Sequence, residues 1–436
     1  MRQLPVFWSI GFMSFGILSA VTSGSLRLLA FALSVGCLLV GIALDFFQGN
    51  RRDSMPRAVS RQNPFLWLAF TYLVVVLQSL WLSGIDAASI VRSLPGGVLV
   101  ITAAIASHRG LAIHPELLKI GLLLFLATGV VLGFVSSPTT PCRADKCSPL
   151  GVLFKGGFTH ENMMGWAAVL AAIVLFGSAL RKPHRRLTLL MLASVATGLG
   201  VLSGARTSLY AGVATALAFA VVMMFQRSRT VVSALVPIAC SLTGTYLIHR
   251  AQVEDFSTRG RRWVVIRETL DGVTSIFGNG LSAWADLQPQ FAVPTSTHSV
   301  YGALLIQGGL LALVPFTIFL AVATRRAQAS GAIEVVVLLH FIAFQAILET
   351  VWEPAVLVQR GWIIIAVALS VPIGYVPRRR QNRASPAHYE YLDVRDSPTR
   401  SAYPVRVPVR HSQSSIQEIP LQRESSDHRW NYELRD

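Results

Sequence analysis

Long apolar runs separated by short polar segments dominate the first 376 residues of the chain. A helix needs roughly 20 predominantly apolar residues to cross a hydrocarbon core of about 30 Å. About twelve runs reach that length, near residues 4–22, 27–47, 65–83, 88–106, 111–135, 162–180, 187–203, 206–226, 230–248, 299–323, 333–352 and 358–376. The pattern predicts an all-α polytopic membrane protein of about twelve transmembrane helices, with a long extracytoplasmic loop between spans 9 and 10.

The first run has an alternative interpretation as a cleaved signal peptide, since Leu18-Ser19-Ala20 resembles a small-residue cleavage site. Only Arg2 precedes this run, however, and a second span follows at once. We therefore interpret residues 4–22 as a span.

The last 60 residues differ in composition from the rest of the chain, because residues 377–436 are rich in Arg, Ser and Pro and have few aliphatic side chains. Such a segment cannot bury enough apolar surface to offset the entropy lost on folding. We expect a transmembrane domain over 1–376 and a disordered cytoplasmic tail over 377–436.

Composition excludes an ordinary soluble enzyme, since 53% of residues are hydrophobic and 14% are charged, with a mean hydropathy of +0.53. Soluble domains carry about 25% charged residues. The net charge of +16 is of the kind seen in nucleic-acid-binding proteins. No basic helix lies in a soluble domain, so we expect membrane lipids and no nucleic acid among the partners.

Basic residues cluster at alternate ends of successive spans. The clusters lie near residues 51–61, 108–109, 181–186, 227–229, 325–326 and 378–383. Because Lys and Arg accumulate in cytoplasmic loops, this pattern predicts that both termini are cytoplasmic. The opposite side then receives two longer segments, about 136–161 and 249–298.

Two cysteines lie in the first of these outer segments, Cys142 and Cys147. An oxidising compartment permits a disulfide between them, which would close a small loop. Cys37 and Cys240 fall inside apolar runs and are interpreted as small core residues. A metal site is disfavoured because no His partners lie near the Cys pair.

Ionisable residues at the outer ends of spans are the default functional candidates, because each is costly to desolvate. They are Lys155, His160, Glu161, Arg206, Arg250, Arg259, Arg261, Arg262, Arg267 and His298. Arg206 lies among small residues in Ser203-Gly204-Ala205-Arg206, where a guanidinium could hold a phosphate bidentately. The alternative is an arginine that extends to the interface at a helix start.

Three arginines in Arg259-Gly260-Arg261-Arg262-Trp263 oppose the positive-inside tendency, so an anion such as a lipid-linked pyrophosphate is expected to stabilise them. A solvated basic loop is the alternative. His298 could act as a general base, or could simply be a polar helix-end residue.

The segment from Gly156 to Gly165 carries polar groups suited to sugar or phosphate, among them Asn162, which could instead cap a helix.

Taken in order, these pieces resemble the O-antigen ligase family, which shares a membrane domain with certain bacterial polysaccharide polymerases. The matching residues are Gly157-Phe158 with Asn162 and Gly165, Ser203 with Arg206-Thr207, Arg259 with Trp263, Phe277-Gly278 with Gly280, His298, and Gly308-Gly309-Leu310. The resemblance covers about 150–325. Two positions depart from the family pattern, Ser299 where Asn is common and Ala205 where Ser is common.

The resemblance implies an inverting glycosyltransferase of the plasma (inner) membrane that needs no metal or cofactor. Its donor would be a polyprenyl-diphosphate-linked glycan, and its acceptor a hydroxyl on a lipid-anchored sugar or growing glycan. Arg206 and Arg259, with Arg262, would stabilise the leaving pyrophosphate, His298 would accept the hydroxyl proton, and Trp263 and Asn162 would contact substrate.

A polymerase of the same superfamily is one alternative. A twelve-span secondary transporter is a second alternative, with an ion or sugar site near Glu349-Thr350-Val351-Trp352-Glu353.

Overall fold

The fold is described from a computed structural model that covers residues 4–47, 63–82, 87–143, 146–255, 259–291, 296–355 and 360–371. The tail predicted over 377–436 lies outside these residues. Of the described residues, 79% are helical. The chain is therefore nearly all-α, as the apolar pattern predicted.

The first half of the described chain contains six long helices. They are α1 (Leu4–Val21), α2 (Gly24–Phe47), α3 (Pro64–Leu82), α4 (Ala87–His108), α5 (Pro115–Val135) and α6 (Glu161–Arg181). An antiparallel hairpin of two short strands, β1 (Thr139–Pro141) and β2 (Val152–Phe154), lies between α5 and α6. Its register pairs Thr140 with Leu153. The hairpin departs from the all-α prediction, since strands of three residues leave no readable alternation in the sequence.

The second half begins with three long helices, α7 (Arg186–Leu202), α8 (Arg206–Met224) and α9 (Arg229–Arg250). Three shorter helices follow in the long loop, α10 (Arg259–Thr269), α11 (Gly272–Phe277) and α12 (Ala283–Phe291). The last three helices are α13 (Val300–Ala329), α14 (Ile333–Leu348) and α15 (Gly361–Leu369). A single 3-10 turn over Pro183–Arg185 precedes α7.

Long apolar helices make this an integral membrane protein. In the described part of the chain, nine helices are long and apolar enough to cross a membrane. Three predicted spans, near 4–22, 333–352 and 358–376, correspond to helices outside this set, namely α1, α14 and α15. The number of twelve spans stays a prediction.

Burial separates central helices from peripheral ones. Of the most apolar stretch within α6, 89% of the residues are buried. The corresponding stretch within Pro183–Leu202, which includes α7, is only 17% buried. Helices α14 and α15 are also buried along most of their length. Peripheral helices instead expose Leu and Val side chains, among them Leu187, Val195 and Leu217. Exposed aliphatic surface of this extent suits contact with lipid.

Contacts between helix termini define two ends of the bundle. At one end, Arg181 of α6 pairs with Glu334 of α14 at 2.8 Å, and Lys182 pairs with Glu116 of α5 at 2.8 Å. We call this the opposite end. The other end, called the site end, contains the β-hairpin and the first residues of α6, α8 and α13.

Helix α13 is broken about a third of the way along, where Gly309 has φ 57° and ψ −155°. The carbonyl oxygens of Ile306 and Gln307 accept hydrogen bonds from the backbone N–H groups of Asn279 and Gly280, at 2.7 and 2.9 Å. The turn after α11 thus satisfies groups that the break leaves unpaired. This contact joins the two glycine-containing motifs that the sequence placed 30 residues apart.

Candidate functional site

Glu349 is the centre of a polar cluster at the site end. The apolar run of α14 ends at Leu348, and Glu349 follows in an extended conformation as the C-cap. Its side chain is only 6% exposed. A carboxylate buried to this extent requires cationic or hydrogen-bonding partners.

Arg259 supplies the closest of these partners. Its Nη2 lies 2.9 Å from Glu349 Oε1, and its Nε donates to the carbonyl oxygen of Leu348 at 3.0 Å. That carbonyl belongs to the last turn of α14, where carbonyls have no partner within the helix. Arg259 therefore joins the start of α10 to the end of α14.

Arg262 lies one turn further along α10, on the same face as Arg259. The residue is 4% exposed, and its Nε and Nη1 atoms have no hydrogen-bond partner among the residues that the structure describes. Burial, followed by the charge of Arg259, lowers the pKa of Arg262 to about 10, although Glu349 acts in the other direction. The guanidinium stays charged at neutral pH, with two unsatisfied donor atoms.

His298 approaches Glu349 from the start of α13. Its Nδ1 lies 3.4 Å from Glu349 Oε2, and its side chain is 26% exposed. Among the described residues, His298 is the only non-glycine residue with a positive φ, at 52°. A backbone in this region is costly for a side chain with a Cβ and is retained where the surroundings impose it.

Hydroxyl groups on both sides hold the backbone of His298. Its N–H donates to Ser296 Oγ at 3.2 Å, and Ser296 Oγ lies 3.0 Å from Thr350 Oγ1. Ser299 is the N-cap of α13, accepting from the N–H of Gly302 and donating to the carbonyl of Ala346. Ser299 therefore caps α13 through its hydroxyl group.

The starts of α6 and α8 complete the ring around Glu349. Asn162 Nδ2 and Thr207 Oγ1 each lie 3.5 Å from Glu349 Oε1. Asn162 is the second residue of α6 rather than its cap, because His160 occupies the N-cap position. Arg206 is the first residue of α8, adjacent to Thr207. Its side chain is exposed, and among the described residues it has no hydrogen-bond or ion-pair partner.

Arg360 approaches from the segment before α15. Its Nη1 lies 3.6 Å from Glu349 Oε2, and its guanidinium stacks over the Trp166 ring at 5.4 Å. Its Nε contacts the sulfur of Met163 at 2.9 Å. Burial lowers the pKa of Arg360, although Glu349 opposes this effect.

A disulfide-closed loop covers the start of α6. Cys142 and Cys147, the predicted pair, are disulfide-bonded. Within the loop they close, Lys146 donates to Asn162 Oδ1 at 2.5 Å and pairs with Glu161 Oε1 at 3.2 Å. Burial lowers the pKa of Lys146, and the carboxylate of Glu161 partly offsets that effect.

The cations of this cluster outnumber its carboxylates. Around Glu349 lie Arg259, Arg262 and Arg360, while Lys146 and Arg143 share Glu161. An excess of buried positive charge with unsatisfied donors is stabilised by an anion, and arginine forks match phosphate oxygens.

The structure brings together most residues singled out in the sequence. Asn162, Arg259 and His298 contact Glu349, and Arg262 lies beside them. Arg206 is adjacent to a contacting residue but points to the surface. Trp263 is fully buried in the hydrophobic core. Its expected contact with substrate stays a prediction.

Sequence reasoning missed three contributors to the site, Lys146, Glu349 and Arg360. Glu349 was considered only for a transporter site, and the other two lay outside the motifs. A signal existed for Glu349, because it is the polar residue that ends an apolar run at the same end as His298. Its partners lie up to 187 positions away in the chain, so no local pattern could identify them.

Comparison with family models, curated proteins and solved structures gives no match for this chain. Within the described ranges, no group of three or more His, Cys, Asp or Glu side chains is arranged to hold a metal ion.

Proposed function

We propose that this protein is a membrane glycosyltransferase that transfers a glycan from a polyprenyl-diphosphate donor to a hydroxyl acceptor. One observation carries the proposal. Arginines from separate elements converge beside a histidine whose Nδ1 faces a buried carboxylate, and buried Arg262 has two donor atoms without partners in the described part of the chain. This combination provides both an anion site and a base.

The chemistry follows from these groups. The acceptor hydroxyl oxygen attacks the anomeric carbon, the bond from that carbon to the diphosphate oxygen breaks, and the configuration inverts. His298 Nε2 takes the hydroxyl proton, a role suited to an imidazole near neutral pH. The negative charge that develops on the leaving diphosphate is stabilised by Arg262 and Arg259, with exposed Arg206 at the rim of the site.

The site end faces the extracytoplasmic side in this proposal, and both termini are cytoplasmic in the plasma (inner) membrane. Two features support this orientation. Arg181, Lys182, Arg229 and Arg326 cluster at the opposite end, as expected for a cytoplasmic face. The Cys142–Cys147 disulfide lies at the site end, as expected for an oxidising compartment.

The acceptor distinguishes two forms of this activity. A ligase transfers the glycan to a lipid-anchored sugar, in cell-surface polysaccharide biosynthesis, whereas a polymerase transfers it to a growing chain. The charged cluster suits both forms, because both release the same diphosphate.

A secondary transporter is the second candidate, and the break in α13 favours it. Discontinuous membrane helices form the substrate sites of many transporters. The carbonyls of Ile306 and Gln307 are, however, already bonded to Asn279 and Gly280. Substrate flux in vesicles that contain only this protein, with no consumption of lipid-linked glycan, would favour the transporter.

The deciding experiment incubates purified protein with a labelled polyprenyl-diphosphate glycan and candidate acceptors. Released polyprenyl diphosphate and glycosylated acceptor are both measured. We expect transfer by the native protein and loss of transfer in Arg206→Ala and His298→Ala, with normal membrane insertion. Undiminished transfer in both variants would contradict the assigned mechanism.

A further inference from the structure

Glu349 offers its two carboxylate oxygens to different partners. Oε1 is contacted by Arg259, Asn162 and Thr207, and Oε2 faces His298 and Arg360. An ionised carboxylate only accepts hydrogen bonds, so the nitrogen of His298 that faces it carries the hydrogen. That nitrogen is Nδ1. The other ring nitrogen, Nε2, is then the basic atom.

We propose that Glu349 is the positioning residue for His298, fixing the tautomer in which Nε2 accepts the proton of the acceptor hydroxyl. The inference rests on the proposed function, since it specifies which group prepares the base. The same carboxylate holds Arg259 against the end of α14. It therefore orients the base and one arginine of the anion site at once.

Charge makes this role measurable. A carboxylate near an imidazole favours the imidazolium and raises its pKa. Removal of that charge in Glu349→Gln leaves His298 with Arg259, Arg262 and Arg360 as its charged surroundings, together with Lys146 and Glu161 beyond Asn162. The three arginines are the nearest of these charges and disfavour the imidazolium, so the pKa of His298 falls.

The first test is the pH profile of transfer by Glu349→Gln. The base acts when it is deprotonated, so the acidic limb of the profile follows the pKa of His298. We expect this limb to move to lower pH by about one pH unit, while kcat falls about 10²-fold because the base is weaker and less well oriented. A carboxylate with a merely structural role would lower activity equally at all pH values.

The second readout separates substrate affinity from turnover. Glu349 opposes the arginines that would hold the diphosphate, so its neutralisation adds one net positive charge to the anion site. We expect KM for the lipid donor to fall together with kcat in Glu349→Gln. A donor KM that rises would contradict this effect of the added positive charge.

Three variants act as controls. Glu349→Asp keeps the charge with a shorter reach, so the acidic limb stays in place while kcat falls. Glu334→Gln removes a buried carboxylate at the opposite end of the same helix, where it pairs with Arg181, and should leave the limb unchanged. Burial raises the pKa of Glu353 to about 7. Glu353→Gln therefore tests whether this second carboxyl group, instead of His298, sets the acidic limb of the pH profile.

A measurement without substrate keeps the two proposals distinguishable. Nitrogen-15 NMR of histidine-labelled protein, assigned with His298→Gln, reports the tautomer and the pKa of His298 directly. We expect hydrogen on Nδ1 in the native protein and a lower pKa in Glu349→Gln. An unchanged pKa would refute the inference even if transfer occurs. A lowered pKa without any transfer by the native protein would refute the proposed function alone.

Discussion

At the scale of single residues, two adjacent arginines on α10 differ sharply in environment. Arg261 is exposed and donates to the carbonyl of Phe291 at 3.0 Å. Arg262 is buried beside Arg259, and two of its donor atoms have no partner within the described ranges. The sequence placed both residues among the outer candidates, and only the roles implied by the family resemblance included Arg262 and omitted Arg261. The packing of Trp263 in the core fixes which face of α10 is buried.

We predict that Arg262→Ala lowers glycan transfer about 10²-fold, because one preorganised donor to developing charge contributes roughly that factor. Arg262→Lys should recover only part of the activity, since an ammonium cannot make the two parallel hydrogen bonds of a guanidinium. Initial rates with saturating acceptor measure the effect.

Arg261→Ala is the matched control for this prediction. It removes the same type of side chain one position away and should change the rate less than twofold. Equal losses in the two variants would show that α10 contributes general positive charge instead of a specific contact.

At the scale of elements, the β-hairpin reaches the site through its disulfide-closed loop. The backbones of Arg143 and Lys146 exchange two hydrogen bonds, at 2.9 and 3.0 Å, between the bonded cysteines. Lys146 then contacts Asn162, which contacts Glu349. The loop therefore holds the start of α6 against the end of α14.

We predict that the double substitution Cys142→Ser with Cys147→Ser reduces transfer several-fold without preventing membrane insertion. The short disulfide loop contributes about 2 kcal/mol by restricting the unfolded chain, and its loss frees Lys146 from Asn162. Transfer rate and thermal unfolding of the purified protein measure both effects.

The comparison variant for the disulfide is Cys37→Ala, which removes a cysteine from α2, far along the chain from the hairpin. It should retain the native rate. A double Cys142 and Cys147 variant with full activity would mean that the hairpin holds its conformation without the bond.

The helices were predictable from sequence because lipid and core both demand long apolar runs. Predicted bounds such as 162–180 and 206–226 agree with α6 and α8 to within two residues at each end. The three helices of the long loop were not resolved by the sequence, since α10 carries four arginines and gives no apolar run. Its buried face depends on contacts with α9 and α13.

Prediction of the site reached the residue types but not their arrangement. Basic residues at one end of the spans led to Arg259, Arg262 and His298. Their convergence on Glu349 depends on contacts between elements far apart in the chain. The positive φ of His298 has no sequence signal, because it arises from the hydroxyl contacts around it.

At the scale of the whole molecule, the two ends of the bundle differ in what their charges do. The opposite end pairs cations with carboxylates, as in Lys182 with partly exposed Glu116 and Arg181 with buried Glu334. The site end holds buried cations in excess. The net charge of +16 therefore combines orientation signals with an anion site in our interpretation.

Orientation gives a prediction at this scale. In a background where Cys37 and Cys240 are replaced by Ala, we expect Arg250→Cys at the site end to react with an impermeant maleimide in intact cells. Arg185→Cys at the opposite end should react only after the cells are opened. Both positions are exposed, so access depends on the side of the membrane. Reversed labelling would place the site end in the cytoplasm.

The break in α13 also bears on how the protein is made. Inside a bilayer, the carbonyls of Ile306 and Gln307 would be costly to leave unpaired. Their partners, Asn279 and Gly280, precede α13 in the chain and leave the ribosome first. The donors are therefore already present when α13 enters the membrane. Chain order thus allows a discontinuous helix to insert and fold in one step. In a circular permutant with residues 272–281 placed after α13 in the chain, insertion of α13 would precede the pairing of its carbonyls.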